Sequence, residues 1–124
     1  MRLEDATVLL VDDLPTLREL FALWLTRCGC AVLTAKDGAE AIRLLTTQRV
    51  DAILSDISMP VMDGVTLAVC IRALQLTTPL LLFSGGELEA AELQRIRALG
   101  IETILTKPIN RQALIAELER VLSS

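Results

Sequence analysis

At 124 residues, 52% apolar and 23% charged, the chain has the length and composition of one folded domain, residues 1–124, and too little polar excess for a disordered segment. Its net charge of −4 and the scatter of its Lys and Arg residues leave no basic face of the kind that nucleic-acid binding needs. The longest apolar runs, such as 80–83, fall far short of a bilayer, and the opening Met1-Arg2-Leu3-Glu4-Asp5 puts two acids where a secretory signal would be apolar, so the expectation is a cytoplasmic domain with no membrane insertion.

The predicted elements alternate strictly along the chain. Residues 7–11 are a short apolar run, the mark of a strand buried on both faces. Pro15 opens a helix in which Leu17, Leu20, Phe21, Trp24 and Leu25 recur at helical spacing, and Gly29 ends it. Residues 31–35 are a second strand. Asp37-Gly38 turns the chain into a helix over 39–48, and 52–54 carry a third strand toward Asp56. Pro60 and Gly64 punctuate a loop, and a helix follows through Leu74. Residues 79–83 are a fourth strand, 84–86 a loop, and 87–99 a helix with Gly100 placed as its C-terminal cap. A fifth strand spans 101–105. Asn110 then caps a last helix whose apolar stripe is Leu114, Leu118, Val121 and Leu122.

Parallel strands need crossover helices, and those crossovers are right-handed. The predicted fold is therefore α/β: a doubly wound, five-stranded parallel sheet in the flavodoxin-like order 2-1-3-4-5, with helices on both faces. Such sheets bind ligands at the carboxyl ends of their strands, at the switch point between strands one and three. Strand one ends in Asp12-Asp13, strand three in Asp56, strand four in Ser84 and strand five in Lys107-Pro108. Three carboxylates, a hydroxyl and an ammonium thus converge on one sheet edge. Clustered acids repel one another unless a cation joins them. Carboxylate oxygens with room for water and phosphate suit Mg²⁺. A carboxylate can attack phosphorus, and phosphoryl transfer then needs mainly positioning and charge stabilisation.

Taken singly, each residue has a plainer reading: a helix cap for Asp12 or Asp13, a turn for Asp56, loop composition for Ser84, a surface charge for Lys107. The joint placement carries the chemical reading. Cys28, Cys30 and Cys70 make a poor zinc framework and read as buried thiols. The chain has no histidine, which excludes His-based acid–base chemistry and a phosphohistidine donor role.

Over nearly its whole length the chain resembles a response-regulator receiver domain of two-component signalling. The matching segments are Val8-Leu9-Leu10-Val11-Asp12-Asp13, residues 51–64 from Asp51 through Met59-Pro60 to Asp63-Gly64, the Ser84 loop, and 98–108 ending in Lys107-Pro108. The resemblance implies that Asp56 is the phosphoacceptor. It implies that Asp13, Asp56 and the backbone carbonyl of Ser58 ligate Mg²⁺, with Asp12 acting through metal-bound water. Lys107 would pair with the phosphoryl group, and Ser84 would be the switch hydroxyl. The Lys107-Pro108 bond would be cis. Gly85 would leave the phosphoryl site open. The chain would catalyse only its own phosphorylation and dephosphorylation and is not otherwise an enzyme. Its implied partners are a histidine kinase or histidine phosphotransfer protein as donor, and a downstream protein or fused output domain as target. A homodimer formed on phosphorylation is a further implied partner.

One departure concerns residue 104. Similar domains carry an aromatic three residues before the Lys; here it is Ile104, so the aromatic gate is missing and Ile104 reads as constitutively buried. Two rival functions fit less well. A phosphatase of haloacid-dehalogenase type needs a second Asp two residues after the nucleophile, where this chain has Ser58, and a cap insertion. A flavodoxin-type flavin binder needs a hydroxyl-rich phosphate loop where this chain has Asp12-Asp13, and aromatics it lacks.

Overall fold

Five short apolar segments, each followed by an amphipathic one, can bury themselves only as a parallel sheet covered on both sides. The computed structural model, which describes residues 1–123, shows that arrangement. The strands are β1 (Thr7–Val11), β2 (Ala31–Ala35), β3 (Ala52–Asp56), β4 (Leu80–Ser84) and β5 (Thr103–Thr106). The helices are α1 (Pro15–Arg27), α2 (Gly38–Thr47), α3 (Gly64–Ala73), α4 (Ala90–Ala98) and α5 (Arg111–Leu122). Strand order is β2-β1-β3-β4-β5, with every pair parallel. The expected fold and order are therefore those observed.

Alternation along the strands divides the core into two layers. Leu9, Val11, Ile53 and Leu82 point to the side covered by α2, α3 and α4, where they meet Ala41, Leu45, Leu67, Ile71 and Ile96. Val8, Leu10, Leu54, Leu81 and Phe83 point to the other side, against Phe21 and Leu25 of α1 and Leu114 and Leu118 of α5. The interior strands β3 and β4 are buried at every position, as their unbroken apolar runs require. The edge strand β2 is buried only at Ala35.

Helix ends follow their capping residues. Asp37, Asp63 and Asn110 accept from the backbone N–H of Glu40, Thr66 and Ala113 at 2.8, 2.7 and 3.1 Å. Asp37 therefore starts α2 as a cap. Three helices stop in the same way. Gly29, Gln75 and Gly100 take positive φ, and the next residue donates back to the helix: Cys30 to Leu25, Leu76 to Ile71, Ile101 to Ile96.

Several boundaries differ from expectation, each for a local reason. β5 starts at Thr103, because the N–H of Ile101 is tied back to α4 and cannot join the ladder. α4 starts at Ala90, three residues late; the loop ahead of it is held by Ser84, and Leu88 packs on the core from that loop. Leu20 keeps its helical spacing but lies off the core face, 39% exposed. A 3-10 turn at Leu3–Asp5 precedes β1 without a sequence signal. Of the three free thiols only Cys30 is buried; Cys28 and Cys70 are half-buried, because they sit at the rims of α1 and α3. None of the described helices is long and apolar enough to cross a membrane.

Candidate phosphoacceptor and metal site

Parallel pairing brings the ends of β1, β3, β4 and β5 to one edge, with Val11 beside Ser55, Asp56 beside Phe83, and Ser84 beside Thr106. The side chains expected to meet do so. Carboxylate oxygens of Asp12, Asp13 and Asp56 all lie within 4.8 Å of one another. Asp12 and Asp56 are buried, and Asp13 is half-buried. Lys107 Nζ reaches across the sheet to form an ion pair with Asp56 Oδ2. The other oxygen, Oδ1, accepts from the N–H of Ser58 at 3.1 Å. Asp56 and Lys107 are 51 positions apart in the chain, so only the fold can join them.

Asp12 is held differently. Its Oδ1 accepts from Leu14 N–H at 3.0 Å, while Oδ2 is fully buried and has no hydrogen-bond partner among the described residues. Burial pushes the Asp12 carboxyl above its ordinary range; the Leu14 bond opposes this, and the Asp56 charge adds to it. Arg18 of α1 donates to the Asp12 carbonyl at 2.8 Å and fixes the turn that carries both acids. Arg18 belongs to no motif, and nothing in its sequence context marks it. A buried acid with one orphan oxygen beside two more acids is a donor set that a hard divalent cation would complete. Asp12, Asp13 and Asp56 could hold such an ion, and the oxygens of this cluster fit Mg²⁺ chemically.

Gly64 is needed for the close approach of α3 to this site. A Cβ there would lie 2.5 Å from the Asp56 carbonyl oxygen and 2.9 Å from Ile57 Cα. The Gly64 N–H donates to Ile57 O at 2.7 Å and closes the loop. Ser58, in that loop, is exposed. Val61 in the same loop holds φ at 71°, an uncommon value for a β-branched residue.

Ser84 ends β4, buried at 5% exposure. Its hydroxyl donates to Gly86 O at 2.6 Å, so in this state it is engaged within its own loop. A Cβ at Gly85 would meet nothing within 4 Å, so this side of the site borders open space. A cavity of about 570 Å³ lies here, walled by Ser58, Met59, Asp63, Ser84 and Gly85. The Lys107 N–H donates to Ser84 O at 2.8 Å, and the Lys107-Pro108 bond is cis, as expected. Ile104 pairs with Leu82 in the sheet and packs against the α2–α4 layer, but it is half-buried rather than buried, because β5 is an edge strand and one flank opens into a cavity.

The fold is thus a doubly wound parallel sheet with three acids at its switch point and a lysine paired with Asp56. The chain belongs to the response regulator receiver domain family, whose model matches residues 8–119, and it is a receiver domain of the two-component type. Among its relatives is the sensor histidine kinase RcsC of Escherichia coli K12, 38% identical over 98% of this chain. The transcriptional regulatory protein GlrR of the same organism is 36% identical over 96% of it. The chain spans only 13% of the first relative and 27% of the second. The solved structure of the chemotaxis protein CheY4 of Vibrio cholerae superposes with a TM-score of 0.86 at 36% identity, covering 94% of this chain and 98% of that one.

Proposed function

We propose that this receiver takes a phosphoryl group on Asp56 with Mg²⁺ and hands the resulting change of shape to a downstream protein or a fused output domain. The observation that carries the reading is the asymmetric treatment of the acids. Asp56 has both oxygens engaged, by Lys107 and by Ser58 N–H, whereas Asp12 is buried with an oxygen left bare. Mg²⁺ bound to these acids would neutralise their repulsion and draw in an anionic phosphoryl donor. Asp56 supplies the attacking carboxylate oxygen; an O–P bond forms as the donor's own bond to phosphorus breaks. Lys107 is pre-placed to balance charge on the phosphoryl oxygens once Asp56 is esterified. Ser84 can exchange Gly86 O for a phosphoryl oxygen, which would release the loop ahead of α4. The donor class is a phosphohistidine on a kinase or phosphotransfer protein, in the cytoplasm. The only reaction the domain performs is gain and loss of its own phosphoryl group.

The test is intact-mass spectrometry after incubation with acetyl phosphate, with and without Mg²⁺, on wild type and Asp56→Asn. The expected result is a phosphoryl adduct on wild type that needs Mg²⁺ and is absent from Asp56→Asn. An adduct that persists in Asp56→Asn, or none from any donor including a phosphorylated histidine protein, removes Asp56 from this role.

A further inference from the structure

Away from the acids, α1 and α5 lie side by side on one face of the sheet, with a groove of about 370 Å³ between them. Its apolar wall is Trp24, Ile115 and Ala116, and its charged rim is Arg27, Arg111 and Glu119. Three observations set it apart.

Trp24 is the single tryptophan of a chain with 2% aromatics. Its ring is braced against Phe21, centroids 5.3 Å apart, yet the residue is only half-buried. Tryptophan and arginine are enriched among binding hot spots, and this ring is anchored on one side and open on the other.

Arg27 and Arg111 form no ion pair among the described residues, in a chain that carries four more acids than bases. Both are exposed.

Arg111 is the first residue of α5, whose first turn contains no acid. A cation at a helix N-terminus opposes the helix dipole. That placement works against α5: the Asn110 side chain caps the Ala113 N–H but brings no negative charge, and no acid among the described residues pairs with Arg111. A carboxylate from outside would answer both Arg111 and the helix end.

We propose that the α1–α5 groove docks an acidic amphipathic segment of a partner protein: an apolar side chain against Trp24 and Ile115, flanked by carboxylates that meet Arg27 and Arg111. Glu119, two turns further along α5 than Arg111, disfavours a carboxylate at that end and gives the segment a direction. The surface is independent of the chemistry at Asp56.

Trp24 itself reports binding, since no other tryptophan contributes to the emission. The probes are a synthetic helical peptide with Leu on one face and Glu on its flanks, and its Lys-for-Glu counterpart. The Glu peptide is expected to shift Trp24 emission saturably, and the Lys peptide to leave it unchanged. In Arg27→Glu/Arg111→Glu the Glu peptide binds at least about tenfold more weakly, and the preference turns toward the Lys peptide. Arg111→Glu alone raises the melting temperature by about 2–5 °C, because it replaces an unfavourable end charge with a favourable one. Phosphoryl adduct formation stays at the wild-type level in both variants. Equal binding of the two peptides, or no binding by either, overturns the proposal. So does emission that shifts with protein concentration alone, which would make a second copy the occupant, or inorganic phosphate that reproduces the whole shift. A melting temperature that falls in Arg111→Glu would make the arginine a structural residue and overturn it too.

Discussion

The two ends of the sheet treat polar groups in opposite ways. At the amino end they are satisfied from within. The Asp51 carboxylate accepts from Thr7 N–H at 2.8 Å, where β1 begins. The guanidinium of Arg72 reaches three backbone carbonyls, Leu99, Leu76 and Thr78, at 2.9 to 3.0 Å, and so ties the end of α3 to the turns before β4 and β5. The Thr103 hydroxyl sits between Glu117 and Arg120. At the carboxyl end the balance is left incomplete: three acids crowd together, and Asp12 Oδ2 has no partner among the described residues. Both ends contain buried polar atoms. Stability accounts for those at the amino end. Those at the carboxyl end make sense only with something added, which is why the unsatisfied atom, more than the cluster of charge, marks the functional edge.

Three substitutions probe this contrast. The largest effect is expected from Lys107→Ala. Losing the ammonium paired with Asp56 should slow adduct formation about a hundredfold or more, the usual penalty for removing a pre-placed donor. Time-resolved mass spectrometry with acetyl phosphate reads the rate, and an unchanged rate would leave Lys107 with a structural role only. Next comes Arg72→Ala at the other end. Leaving its carbonyls without that donor should lower stability by about 2–3 kcal/mol in urea denaturation, with the adduct rate unaltered once the protein is folded. If the rate fell in parallel with stability, the two ends would not be separable. The smallest effect is of opposite sign. Asp12→Asn removes a buried, repelled charge and should stabilise the metal-free protein by about 1 kcal/mol, while weakening the rise in melting temperature expected of the wild type on adding Mg²⁺. A less stable metal-free variant would mean that Asp12 is structural.

Much of this was legible from residue order. Apolar runs at 7–11, 52–54 and 79–83 located the interior strands, because a strand covered on both faces cannot hide its composition. The site followed, since its residues stand at strand ends. What escaped was set by tertiary contacts or by hydrogen bonds that leave no periodic trace. The start of β5 was hidden because Ile101 is apolar yet bound to the cap of α4. Leu88 lies in the segment expected as helix but packs from the loop ahead of α4. Arg18, which holds the Asp12 turn through a carbonyl, looks like any surface arginine. The half-exposure of Ile104 depends on its lying in an edge strand, which follows from strand order and not from its neighbours in the chain.

The assembly of the site from distant positions has a consequence for quality control. Asp12, Asp56, Ser84 and Lys107 come from four different strands or their ends, and no fragment that lacks part of the sheet can bring them together. A nascent chain, a misfolded copy or a proteolytic remnant therefore has the aspartates but not the assembled site. Under the proposed function, a phosphoryl group on Asp56 would therefore mark only molecules whose sheet is intact.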